Sequence, residues 1–379
     1  MPPLLCTILS RPTAALRTGI DIRRFTSAAE AKEEGWDTNL TLPPFLSAAW
    51  LASFSAAAQG GAGGPVTDLI QVRDGGQVVL QTILQELPVD SMRLGDRVDP
   101  TWVARALGPT AFQIGQALFS GPAVATALPP DQTAALLTAL AQDLPGRGAC
   151  FLKALPSCTA PGEDWIATSA MPEMAICIPS AWCDFNDYLA ALPSKYRSRV
   201  RRARSKFAGL ESRELTADDA ERFGESLQSL YADLMARTPY APFVVEAGYV
   251  ARLKALRPDE VLLRGYFDGE RMVGFSTLLV DGREGLAHLA AVAPAYNPSH
   301  QLYLNVLFDL LASAIERGCS RLNYGRTATT IKSSVGAAPV GYASFVRHSG
   351  RLRQQLLKQL VPRVAGDADR DARIQRPLG

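Results

Sequence analysis

Apolar and polar positions along the chain fall into two runs of the same design. In the first, Leu69-Ile70-Gln71-Val72 leads into Asp74-Gly75-Gly76, and Val78-Val79-Leu80-Gln81-Thr82-Ile83-Leu84 follows. Strand-forming residues on both sides of an Asp-Gly pair predict a β-hairpin, because glycine accepts the positive φ that tight hairpin turns need. In the second run, Val261-Leu262-Leu263-Arg264-Gly265-Tyr266-Phe267 meets Asp268-Gly269-Glu270 and resumes at Met272-Val273-Gly274-Phe275, predicting another hairpin. Later in each half, a stretch with helical periodicity (Asp131 to Leu144, Ser299 to Arg317) precedes a short apolar strand, Ala149 to Leu155 and Ser320 to Tyr324. A duplicated unit is expected, and with it an α/β (mixed α+β) fold of twisted mixed sheets flanked by helices.

Breakers place the divisions. Pro156 to Gly162 is rich in proline and small polar residues, so the boundary falls there or in the strand-like stretch that ends at Pro179. The expected organisation is an extension over 1–20, a first and mainly structural domain over 21–175, a second and catalytic domain over 176–350, and an amphipathic segment with a tail over 351–379. Gly60 to Pro65 reads as a flexible loop, and with no strand before it the glycines do not make a phosphate cradle. Pro362 to Gly379 loses apolar residues and is expected to fray.

Composition narrows the class. The 379 residues are 47% hydrophobic and 20% charged, with 39 cations against 37 acids, which is ordinary globular usage and excludes a disordered chain. No run reaches the roughly 18 uncharged apolar residues that a membrane-spanning helix needs. Pro2 and Pro3 stand where a signal peptide has a basic region, so no signal peptide is read; the acid-free, Arg-containing stretch to Thr18 keeps a transit peptide open. Six cysteines without a Cys-x-x-Cys pair and only three histidines give neither a disulfide framework nor a zinc site, so no metal is expected and the placement is cytoplasmic.

Three segments carry candidate chemistry. Lys195 to Phe207 holds seven cations and no acid, with Tyr196, Val200, Ala203 and Phe207 at helical spacing. One face of such a helix packs while Lys195, Arg199 and Arg202 present charge to phosphates of a donor, a tRNA backbone or an anionic membrane surface; the plain alternative is a solvated face. The second segment is the strand Leu286 to Val292, which contains His288 and opens through Ala293 to His300 into a helix. His288 is the candidate proton acceptor, Tyr296 a candidate acid, and the loop amides near Asn297 and His300 candidate oxyanion donors; the plain reading of His288 is a hydrogen-bonded core residue. In the third segment, Cys319 to Ala337, Tyr324, Arg326 and Lys332 follow directly on a strand, where α/β sites form. Arg326 suits a phosphate or carboxylate, Lys332 suits developing negative charge, and Tyr324 suits protonation of a leaving group.

Leu322-Asn323-Tyr324-Gly325-Arg326-Thr327, then Ile331-Lys332 and Gly336-Ala337, resemble the closing motif of Fem-like acyltransferases, a branch of the GNAT superfamily. The basic Leu192 to Phe207 segment and Phe45 to Leu51 are similar to two of that family's helices, so the resemblance covers about residues 20 to 350. It implies two tandem GNAT-like domains and transfer of an acyl or aminoacyl group to an amine, with Tyr324, Arg326 and Lys332 as matching positions. Pro294 to Gln301 lacks the Arg and Gly residues of the usual pyrophosphate loop, so an acyl carrier protein or a tRNA ester stands beside acyl-coenzyme A as donor. No permanently bound cofactor is implied. Leu352 to Val361, amphipathic and flanked by Arg351, joins the basic helix in suggesting a lipid amine such as a sphingoid base, acylated at the inner membrane face. The alternatives are a tRNA-dependent transferase acting on a cell-wall precursor and a non-catalytic nucleic-acid module, against which the net charge of +2 argues.

Overall fold

The computed structural model describes residues 19–58, 66–94, 99–119, 121–122, 124–144, 148–156, 161–168, 172–238, 240–241, 243–246, 248–364 and 374–378. The glycine-rich loop and the region read for a signal or transit peptide lie outside these residues.

Both hairpins form. Val66–Asp74 pairs antiparallel with Gln77–Pro88, and Val261–Asp268 with Arg271–Asp281. Gly75 and Gly76 take φ of 56° and 85°, the left-handed geometry the first turn requires. Each hairpin continues into the same arrangement. In the first half Gln77–Pro88 is joined by Thr110–Ile114, and after the helix Pro130–Gln142 the strand Ala149–Pro156 pairs parallel to Thr110–Ile114. In the second half Arg271–Asp281 is joined by Glu284–Val292, and after the helix Leu302–Glu316 the strand Arg321–Asn323 pairs parallel to Glu284–Val292. A helix-linked parallel pair is the unit duplicated.

The two sheets then trade strands. Glu173–Cys177 follows the first unit yet pairs with Arg321–Asn323 of the second sheet, which Ala338–Val340 extends. Tyr342–His348, in the stretch assigned above to the second domain, crosses back to pair with Ala149–Pro156 and Ile166–Thr168 of the first sheet. Period-2 patterning says which residues form a strand and nothing of which sheet receives it.

Helices Phe185–Ala191, Ser194–Phe207 and Leu302–Glu316 bury one apolar cluster of the second sheet, around Met174, Tyr188, Val200, Phe308 and Tyr324. A second cluster draws in the first-half helix Ala48–Ala58: Trp50 and Phe54 pack with Phe119, Tyr249 and Phe275. Arg252 Nε donates to Ala57 O at 2.8 Å, and the Arg257 guanidinium stacks 4.1 Å from the Trp50 ring. The halves therefore share a continuous apolar core.

Two expectations about the end of the chain change. Leu352 to Val361 is helical within Arg351–Val364, but its apolar side is spent: Leu357 and Leu360 are buried with Leu87, Val103 and Val346. Only Leu352, at 89% exposure, projects. Of the tail, residues 365–373 lie outside the described residues, and residues 374–378 are docked. Gln375 N donates to Ser333 Oγ at 3.0 Å, Arg199 Nη1 donates to Gln375 Oε1 at 3.1 Å, and Leu378 packs over Gly336 and Ile176. These contacts come from one leucine and one polar residue, which composition does not reveal.

Candidate active site

The parallel strands Glu284–Val292 and Arg321–Asn323 pair over three residues only, from Glu284–Arg321 to Leu286–Asn323. The longer strand runs on to Val292, so its side facing away from Arg271–Asp281 is unpaired from Ala287 onward, at the carboxyl ends of the two strands. Opposite its other side the ladder slips: the register jumps between Ser276 and Leu278, and Thr277 Oγ1 accepts from Leu289 N at 2.8 Å. An irregularity of this kind re-aims the side chains beside it.

His288 sits at this irregularity. Phe54 and Phe119 from the first half lie 6.4 and 6.3 Å from its ring, and Nε2 shares a 2.9 Å hydrogen bond with the Tyr249 hydroxyl. Nδ1 is buried without a partner. Burial lowers the imidazole pKa to about 4, because the charged form loses its water, so the ring is neutral at physiological pH.

A second group of ionisable side chains gathers at the seam of the halves. Glu173 opens the strand that crosses into the second sheet; it is 2% exposed, and its Oε2 accepts from Asn323 Nδ2 at 2.9 Å. Oε1 has no hydrogen bond, and the nearest cation is Arg326, Nε at 4.0 Å. The turn that carries Arg326 is held tightly. Met174 N donates to Gly325 O at 3.0 Å, and Gly325 N to Asn323 Oδ1 at 2.8 Å. Lys332 Nζ closes the turn by donating to Gly325 O at 3.3 Å and Arg326 O at 2.5 Å. Thr327 and Ala328 adopt φ of 66° and 50°, a strain that non-glycine residues accept only where the surroundings impose it. From the first half, Lys153 donates to Gln116 O and to Phe119 O, the latter at 2.7 Å. Burial lowers both lysines to about 7; Arg326 lowers Lys153 further, and Glu173 opposes the shift in each. Phe119 thus touches both groups, through its ring to His288 and through its carbonyl to Lys153.

The other expected residues fall elsewhere. Tyr324 is buried on the opposite side of the sheet from His288, in the cluster beneath Leu302–Glu316, and its hydroxyl donates to Leu307 O at 2.9 Å. Its proton is held in the core by a backbone carbonyl, away from His288. Asn297 and His300 belong to a short helix, Tyr296–His300, rather than an open loop. Asn297 N donates to Pro294 O, and its Oδ1 accepts from Tyr303 N at 2.9 Å, so its own amide is engaged and its side chain serves the start of the next helix. His300 Nδ1 bonds Ser299 Oγ at 2.8 Å. Tyr296 donates to Asp268 Oδ2 at 2.8 Å by the hairpin turn, and that bond raises its pKa, so its proton is engaged there. Lys195 and Arg202 are exposed on the basic helix, whereas Arg199 is engaged by the returning tail. Lys332 gives two of its hydrogens to turn carbonyls and so holds the turn that carries Arg326.

Glu173 and Lys153 escaped the sequence reading, as did the part of the first half, expected to be mainly structural, that reaches the site. Their signal is a lone charge inside an apolar strand, Glu173 before Met174-Ala175-Ile176 and Lys153 amid Phe151-Leu152-Lys153-Ala154-Leu155. An ionisable residue in a run that must be buried requires a partner.

Residues 194–333 match the acetyltransferase (GNAT) domain family, which spans the basic helix, His288 and the Arg326 turn. The chain thus carries a GNAT-type acyltransferase domain. Among solved structures it is similar to the C-terminal domain of a putative lysylphosphatidylglycerol synthetase from Agrobacterium fabrum, at 14% identity and a TM-score of 0.47, covering 90% of this chain and 99% of that one. FemX is similar at 11% identity and 0.47, over 89% and 100% of the two chains. A tandem GNAT protein from the clavulanic acid biosynthesis pathway follows at 13% and 0.44, over 87% and 99%. No curated protein matches the chain.

Proposed function

We propose that the protein is an N-acyltransferase that moves an acyl group from a thioester, acyl-coenzyme A or an acyl carrier protein, to an amine. The observation that carries this reading is the parallel strand pair that opens after three residues inside the segment matching the GNAT domain. Unpaired backbone at the carboxyl end of a parallel pair is where α/β folds bind ligands, and its N–H groups are donors for a carbonyl oxygen turning anionic.

The amine must lose a proton as its nitrogen bonds the thioester carbon. His288, neutral and with Nδ1 free, is the proton acceptor in this reading. The tetrahedral oxyanion collapses, the C–S bond breaks and the thiolate takes a proton from water. Arg326 holds an anionic group of a substrate, and the exposed cations Lys195 and Arg202 meet phosphates of the donor. A lipid amine acceptor at an anionic membrane surface is the second reading, favoured by those same helix cations and no longer by the buried face of Arg351–Val364. Incubation with acyl-coenzyme A of graded chain length and a panel of amines, read by mass spectrometry, tests the proposal. Amide and free thiol in equal amounts are expected; thiol release without amide across the panel refutes it.

A further inference from the structure

We infer that the seam cluster recognises an α-amino acid, through the carboxylate that lies beside its amine. The inference rests on the acyltransfer reading for what happens after binding, and on the cluster alone for the binding.

Two groups in the cluster have unfilled hydrogen-bonding capacity, and they are of opposite kinds. Arg326, a quarter exposed, makes no side-chain hydrogen bond to any described residue, which leaves its planar fork of N–H donors open. Glu173 Oε1, 4.0 Å from Arg326 Nε, is a buried acceptor with no donor. A buried carboxylate oxygen left bare is costly unless something fills it. Lys153 and Lys332 do not bond it; two donors of each ammonium go to carbonyls, those of Gln116 and Phe119 for Lys153 and of Gly325 and Arg326 for Lys332. They contribute positive potential without contact.

The chemistry of the ligand follows from this inventory. Phosphate or a plain carboxylate brings acceptors only; it would satisfy Arg326 and be repelled by Glu173. A plain amine brings donors only, satisfying Glu173 and meeting the repulsion of Arg326. An α-amino acid carries both groups on neighbouring atoms. Its carboxylate pairs with the guanidinium of Arg326, and its ammonium donates to Glu173 Oε1. The carboxylate also relieves the unfavourable burial of the two lysine charges. Arg326 and Lys153 are the partly exposed members, whereas Glu173 and Lys332 are buried. The role assigned to Glu173 and Arg326 is selection of the acceptor.

Calorimetric titration of the whole chain with each of the twenty common amino acids tests the inference. For an amino acid that binds, leucine for example, the matched probes are 3-methylbutylamine, which lacks the carboxylate, and 4-methylpentanoate, which lacks the ammonium. Both are expected to bind about 10- to 100-fold more weakly, the worth of a hydrogen bond to a charged group. Arg326→Gln and Glu173→Gln should each weaken the amino acid by a similar factor. Arg326→Lys, which keeps the charge and loses the fork, should fall between, with circular dichroism melts confirming the fold of every variant. Binding of the amine as tight as that of the amino acid, or no binding by any of the twenty, overturns the inference. Acyl transfer is then measured on the same ligands. Arg326-dependent binding without transfer would sink the acyltransferase reading and leave this one standing. Equal kcat/KM for leucine and 3-methylbutylamine would do the reverse.

Discussion

Replacing Lys332 with methionine tests the energetics of the seam directly. The residue is 3% exposed, and burial lowers its pKa from 10.5 to about 7. That displacement of about 3.5 units, at about 1.4 kcal/mol per unit, amounts to about 5 kcal/mol of unfavourable charge burial. The sign follows from which state holds the proton. Below about pH 7 both folded and unfolded chains are protonated at this site, and the whole penalty is present. Between about 7 and 10.5 the unfolded chain keeps the proton and the folded one does not, so stability climbs with pH at up to about 1.4 kcal/mol per unit. Above 10.5 the penalty is gone. Urea unfolding of wild type and Lys332→Met from pH 6 to 10 reads this residue, because titrating groups far from the seam cancel in the difference and Glu173 and Lys153 are the neighbours whose titration the variant also alters. The two carbonyl bonds lost with the amine add only a constant offset, about 1 kcal/mol each. Wild-type stability relative to the variant should be flat below pH 7 and rise by about 4 kcal/mol by pH 10. A difference that stays constant over that range would mean that the amine is not buried as described.

Other outcomes are equally specific. Tyr188→Phe removes a buried hydroxyl that donates to Val335 O at 3.1 Å, and should cost about 1–2 kcal/mol in urea unfolding; an unchanged midpoint would show the bond to be dispensable. If His288 accepts the amine proton, His288→Gln should lower kcat by about 100-fold or more, and because the wild-type imidazole titrates at about 4, kcat/KM should show no histidine limb between pH 5.5 and 7.5. A limb near 6.5 that disappears in the variant would instead place the ring in water. Deleting the residues after 373 strips Leu378 from Gly336 and Gln375 from Ser333, and should lower stability by about 1–2 kcal/mol; a melting temperature equal to that of the full chain would show that the docked tail contributes nothing.

The hairpins were legible because Asp-Gly turns and aliphatic flanks are local signals, and the same holds for the basic helix, whose period lies within fourteen residues of chain, Ser194–Phe207. The third segment pointed to Arg326 because a strand, a glycine turn and polar residues adjoin in sequence. Tyr324 lies apart from His288, and the same local pattern cannot say which side of a sheet a tyrosine enters. Glu173 and Lys153 became neighbours of Arg326 only through the exchange of strands, a long-range pairing with no local signature. His288 was read both as a base and as a core histidine, and the structure gives it traits of each: an aromatic surround with one ring nitrogen bonded, and the other left without a partner.

The crossing of Tyr342–His348 into the first sheet has a consequence for biosynthesis. As the nascent chain leaves the ribosome, Ala149–Pro156 and Ile166–Thr168 emerge early, but the strand that joins them arrives only when residue 348 is out. Until then the amino-terminal sheet presents an open edge, the kind of surface that invites chaperones or self-association. A clone that ends before Tyr342 should therefore yield insoluble material, whereas two co-expressed pieces cut between the halves should find each other and stay joined.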